Sequence, residues 1–339
     1  MKIFSAIRCF FFIFLFFNIA LADGASRGSI SGLAFGDYYY MFSNHSSEIE
    51  EMNGFWFRRI YLTYDQGLAE NLSMRVRLEM GHPGDFSTKS AAVPFVKDAF
   101  LKYRFKQTQF LLGISPSPTF ALIEKIWGYR SVEKTPADLY KLSSSRETGL
   151  AVKGAVGQNK RFFYHIMLGN GNGQKSETNK YKKGMAAAGI NLSENILIEG
   201  YADYEQRSTD EKRWTYQGFA GFKSQSVRAG LQYLHQTRQY ANQSDVGITL
   251  ISAFFRANIN NQWTTLLRVD KIFDKIPEGP DIDYLPISNQ SPATVAIAGV
   301  DYSLSSNAHL IPNVEIVMYE NDEINTDVMG RLTFYFTFK

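Results

Sequence analysis

The C-terminal stretch MGRLTFYFTFK, residues 329–339, decides the fold. Leu332, Phe334, Phe336 and Phe338 fall on one face, and Arg331, Thr333, Tyr335 and Thr337 on the other. A period of two is that of a β-strand. An aromatic face against a polar one, at the end of the chain, is the pattern of a strand between lipid and a wet interior. The closing strand of a soluble barrel would alternate in the same way, so the rest of the chain has to decide.

Working backwards, the same rhythm recurs. SMRVRLEM, residues 73–80, sets Met74, Val76, Leu78 and Met80 against Ser73, Arg75, Arg77 and Glu79. Sixteen such segments lie between residues 28 and 338, and the connections joining them are alternately short and long. That is an all-β chain forming a 16-stranded antiparallel transmembrane β-barrel, with turns at the periplasmic end and loops at the outer end. The third long connection, 116–145, mixes three prolines with Phe120, Leu122, Ile123, Ile126 and Trp127. It is too apolar for disorder and too long for a plain connection, so we expect a loop folded into the barrel. There it forms the pore constriction, with Lys125, Arg130 and Lys134 offset by Glu124 and Glu133, and Trp127 and Tyr129 pinning it to the wall.

Composition agrees. The chain has 27 Phe and 19 Tyr, and no segment after the leader approaches the ~20 apolar residues of a membrane helix. Residues 1–22 carry Lys2 and Arg8, an apolar run and a small-residue site at Ala20 to Ala22, which reads as a cleavable signal peptide. The barrel then occupies 23–339. Cleavage takes two of the 36 basic residues, leaving 34 against 33 acidic, and removes the single cysteine, Cys9. Bulk charge therefore selects no partner, and nucleic-acid binding is disfavoured.

By strict alternation Arg59, Arg75, Arg77, Lys102 and Arg104 point into the lumen with Glu79 and Asp98, while Arg58 falls on the lipid face. Glu199, Asp203, Glu205, Asp270 and Glu315 face inward on later strands, with Arg228 and Arg268 among them. Two outcomes are open: opposed walls that set up a transverse field, or charges that pair across neighbouring strands. The direction of Arg256 is undetermined, and Pro312 marks a strand end or bulge.

The runs GFWFRRIYLTYDQGLAENLSMRVRLEMG, VKDAFLKYRF, SSSRETGLAVKGAVG and FFYHIMLGNGNG, within residues 53–173, resemble the phosphate-selective porin O and P family. The resemblance implies a trimeric, water-filled channel with an inward third loop. Phosphate selectivity is the lesser expectation, because acids interrupt the basic residues of the loop. The reading is an outer-membrane porin that passes small hydrophilic solutes or ions with weak anion preference, touching membrane lipid and lipopolysaccharide. Replacing Lys125, Arg130 and Lys134 together is expected to lower anion permeability more than any other change. An enzymatic barrel is disfavoured: His45, His82, His165, His235 and His309 are scattered singly, and nothing forces a nucleophile and a base together. A structural or adhesive barrel would have longer loops. No cofactor is expected, and no histidine pair or mature cysteine offers a metal site.

Overall fold

A computed structural model describes residues 27–277 and 284–339; the signal-peptide reading of 1–22 lies outside these residues. Sixteen strands follow in order: β1 (Ser29–Ser43), β2 (Asn53–Ala69), β3 (Leu72–Met80), β4 (Phe95–Phe105), β5 (Thr108–Pro116), β6 (Arg146–Val156), β7 (Phe162–Gly169) and β8 (Lys183–Asn191). They continue as β9 (Ile196–Gln206), β10 (Glu211–Lys223), β11 (Val227–Tyr240), β12 (Val246–Asn258), β13 (Trp263–Ile272), β14 (Ala293–Ser305), β15 (Ala308–Tyr319) and β16 (Asp327–Phe338). Every neighbouring pair is antiparallel, and β1 pairs with β16, from Gly32 opposite Phe338 to Ser43 opposite Val328. The barrel is closed. No free strand edge remains to be satisfied in lipid, which is why the terminal strand had to be as regular as its sequence.

The outer face is apolar, with Leu150, Ile166, Leu168, Leu231 and Leu267 exposed on it. Aromatics gather at both ends of the strands: Phe105, Phe162, Trp263 and Phe338 near the short turns, and Phe42, Phe55, Trp214 and Tyr216 nearer the long loops. This is the girdled belt of a membrane-spanning barrel. The end with short connections is called the turn side below, and the other the loop side.

Alternation fails at two points that matter. On β2, Phe35 pairs with Arg59 and Gly36 with Phe57, so Arg58 is an extra residue. A bulge of this kind turns two consecutive side chains to one side, and Arg58 is buried inside the barrel, 2% exposed, not on the lipid face. Gly36 permits the bulge, since a Cβ there would lie 2.1 Å from the Trp56 carbonyl oxygen. On β4, Arg77 pairs with Asp98 and Leu78 with Val96, which makes Lys97 the extra residue and turns it inward beside Asp98. Pro312 lies within β15 where pairing with β14 lapses between Gly299/Asn313 and Tyr302/Leu310, neither a strand end nor a bulge. The missing donor costs nothing there.

The third loop folds inward and carries two short helices, α1 (Ala121–Trp127) and α2 (Pro136–Leu139). Phe120, Ile123, Ile126, Trp127, Val132, Leu139 and Tyr140 are all buried, packed with Phe219, Leu234, Leu250, Phe254 and Leu266 from the inner wall of β10 to β13. Each such side chain contributes about 2 kcal/mol, which is why the loop stays inside. A second connection also turns inward. Tyr284, Leu285 and Ile287, preceding β14, are buried, and Tyr284 donates to the carbonyls of Arg58 and His82.

Candidate functional site

Three arginines of the wall grip the third loop by its backbone. Arg58 donates to the carbonyls of Ser131 and Val132, Arg331 to Val132, and Arg268 to Lys134. Each is also held by carboxylates: Arg58 by Asp37 at 2.7 Å, Arg331 by Glu315 at 2.9 Å and Glu133 at 3.1 Å, and Arg268 by Asp270. Arg331 further donates to the Tyr284 carbonyl, so one side chain ties both inward connections to β16. Burial pushes the Glu133 carboxyl up, but Arg331 and Arg58 outweigh it and hold it well below the ordinary carboxylate range.

Between the loop and the wall of β1 to β6 lies a cavity of about 360 Å³. The wall supplies Tyr61, Thr63, Arg77, Lys97 and Arg146; the loop supplies Glu124, Arg130 and Asp138. The wall cations are paired. Arg77 and Arg146 share Asp98, the former at 3.3 Å, while Lys97 and Arg59 share Glu79 at 2.8 and 2.6 Å. On the loop, Arg130 lies 3.5 Å from both Glu124 and Asp138. The charges therefore pair with neighbours, and the cavity has a wall with more bases than acids facing a loop with two acids. Such a pairing leaves little net charge but a field across the gap.

The residues expected at the constriction divide into two groups. Glu124 and Arg130 reach the cavity. Glu133 and Lys134 do not line it; they are buried behind the loop at 1% and 5% exposure, among the anchoring arginines. Lys125 is exposed on the face of α1 toward β11, where its carbonyl accepts from Arg228. Trp127 is wholly buried and donates to the Glu133 carbonyl, and the Tyr129 hydroxyl donates to Asp301 at 2.9 Å, so both pin the loop. Among the lumen residues, Arg77 lines the cavity, Arg59 sits behind it on Glu79, and Arg75 is bound in two contacts to Asp65. Lys102 and Arg104 lie nearer the turn side. Arg256 points inward, over the Tyr129 ring at 5.6 Å.

Sequence reasoning missed Arg58, Lys97, Arg146 and Arg331. Both bulges defeat strict alternation, although consecutive charged residues in a strand (Arg58 with Arg59, Lys97 with Asp98) are themselves a bulge signal. Of the histidines once weighed for catalysis, His45 binds Asp327 at 2.9 Å and Tyr319, and His82 accepts from the Phe57 amide. Asp85 accepts from the amides of Ser87 and Thr88 in its own turn.

Glu124 is the titrating element of the cavity. Burial pushes its carboxyl up, and Arg130 only partly offsets this. Its charge is therefore lost over an interval of falling pH that begins above the ordinary carboxylate range, and each protonation adds one net positive charge beside Arg130. Anion preference is expected to rise over that interval, and Glu124→Gln to abolish the rise; reversal potentials at stepped pH check both.

No protein-family model and no curated protein sequence matches the chain, so the resemblance to the phosphate-selective porins gains no support at family level. Solved structures do match. The anion-selective porin of Comamonas acidovorans aligns with TM-score 0.68 and 11% identity over 93% of this chain and all of that one. The trimer form of OmpT, an outer membrane protein of Vibrio cholerae, aligns at 0.66 and 10% over 93% and 100%. The outer membrane channel DcaP of Acinetobacter baumannii gives 0.65 and 14% over 93% and 98%. The fold is that of Gram-negative outer-membrane porins.

Proposed function

We propose that the protein is an outer-membrane porin, exported by a cleavable leader, that passes small hydrophilic solutes or ions by passive diffusion with a weak preference for anions. The observation that carries this reading is the cavity between the third loop and the β1 to β6 wall, lined by charged side chains in a barrel otherwise packed on its β10 to β14 side. A structural barrel has no need of a charged gap beside a clamped loop. Acids at Glu79, Asp98, Glu124 and Asp138 interrupt any continuous basic path, which favours general diffusion over a phosphate-selective channel. Homotrimeric assembly in lipid and lipopolysaccharide is part of the proposal, in keeping with the trimeric neighbour.

Reconstitution into planar bilayers tests it. Stepwise conductance is expected, with a reversal potential in a tenfold KCl gradient on the anion-selective side. Cation selectivity would refute the preference, and a silent protein would favour a structural or enzymatic barrel.

A further inference from the structure

Loop-side lumen cations are neutralised by neighbours; on the turn side Arg75 is held by Asp65, but two groups of cations have no such partner among the described residues. Lys102 and Arg104 on β4 and Lys153 on β6 lie toward the turns, and none makes an ion pair among the described residues. Arg104 and Lys153 line a recess of about 550 Å³ with Lys106, Lys160, His165 and neutral groups, and no carboxylate is among its lining residues. Across the lumen, Lys223, Arg228 and Arg256 form a second arc, equally without ion pairs among the described residues.

This second arc carries an electrostatic cost. Arg228 sits directly opposite Lys223 on β10 and directly opposite Arg256 on β12. Like charges directly opposite each other destabilise a sheet. The lumen acids at this end offer little relief: Asp65 is bound by Arg75, Asp301 by His309 and Tyr129, and Glu199 is buried on β9 at 6% exposure, while Glu70 and Glu194 are exposed on the turns outside the strands. Arg228 and Arg256 also touch the third loop, at the Lys125 carbonyl and over the Tyr129 ring, but neither contact supplies a counter-charge, and the three cations stand in register unneutralised.

Given the channel reading, on which this rests, we infer that anion preference is set on the turn side of the lumen, by these two arcs, and not by the paired charges of the cavity between Arg130 and the β1 to β6 wall. Small anions are drawn into a net positive vestibule, while the paired constriction contributes size restriction and a transverse field. The expected triple replacement at Lys125, Arg130 and Lys134 addresses the wrong level: Lys134 is buried and Arg130 is already offset by two carboxylates. Because the vestibule charges act through solution, the preference fades as salt shortens the Debye length from ~10 Å at 0.1 M to ~3 Å at 1 M.

Reversal potentials in KCl gradients centred near 0.1 M test the assignment on the full-length protein. The variants are K102Q/R104Q/K153Q and K223Q/R228Q/R256Q, with Arg130→Gln as the constriction control. Each triple is expected to lower the chloride-to-potassium permeability ratio by about twofold or more, and Arg130→Gln by less. Either triple at the wild-type ratio, or a larger drop in the control, overturns the inference. Heat-modifiable gel mobility verifies that each barrel is folded, and if one triple fails to fold the other arc still decides. Silence of the wild-type protein would sink the channel reading itself, an outcome separate from an unchanged ratio.

Discussion

Arg331→Ala is expected to destabilise the barrel by about 3–5 kcal/mol and to turn a quiet channel into a flickering one. The side chain is fully buried and serves four partners: Glu315, Glu133, the Val132 carbonyl and the Tyr284 carbonyl. Truncation strands Glu315, leaves Glu133 to Arg58 at 3.7 Å and the Lys134 amide, leaves the Val132 carbonyl to Arg58 alone, and releases the Tyr284 carbonyl. Breaking one member of a buried ionic set costs far more than replacing the set. Arg331→Met with Glu315→Leu should therefore regain much of the stability while the channel stays noisy, because Glu133 and the Tyr284 carbonyl still lack the guanidinium that tied both inward connections to β16. Urea unfolding in micelles reads the first quantity, and open-channel noise the second. Since Glu133 is held charged, its stabilisation is fully present above the ordinary carboxylate range and is lost only well below it, so the noise of the wild type should not change between pH 7 and pH 5.

Excising the third loop is the larger functional change. The strand ladder does not depend on it: β5 and β6 pair continuously from Thr108 opposite Gly154 to Pro116 opposite Arg146. Replacing residues 119–142 with a short Gly-Ser linker removes α1, α2 and the apolar cluster they form with β10 to β13. Sixteen-stranded barrels otherwise enclose an aqueous channel, so conductance is expected to rise by about twofold or more. The cost falls on the inner wall, where Phe219, Leu234, Leu250 and Phe254 lose their cover.

The strands were legible because lipid enforces alternation over long stretches: MGRLTFYFTFK alone gives the faces of β16, and all sixteen elements appear where the pattern places them. The third loop was legible through its length and its apolar residues. Less of the site was. Lys134 and Arg130 differ by only four positions along a loop of irregular backbone, yet one is buried and the other lines the cavity. No period links sequence to direction in such a segment. Arg58 and Lys97 were placed by bulges, local departures from the period the reading relied on. Arg331 lay in plain view on the polar face of the last strand, but its role depends on carbonyls of residues 132 and 284, far along the chain.

In the proposed channel the third loop, clamped inside the barrel, sets the passage. Single-channel conductance of the intact protein and of the 119–142 excision, recorded in the same bilayer and salt, tests it most directly. Small, steady steps are expected for the intact chain, and steps about twofold larger or more for the excised one. Equal steps would contradict it, and would mean that the ions take a path the loop does not bound.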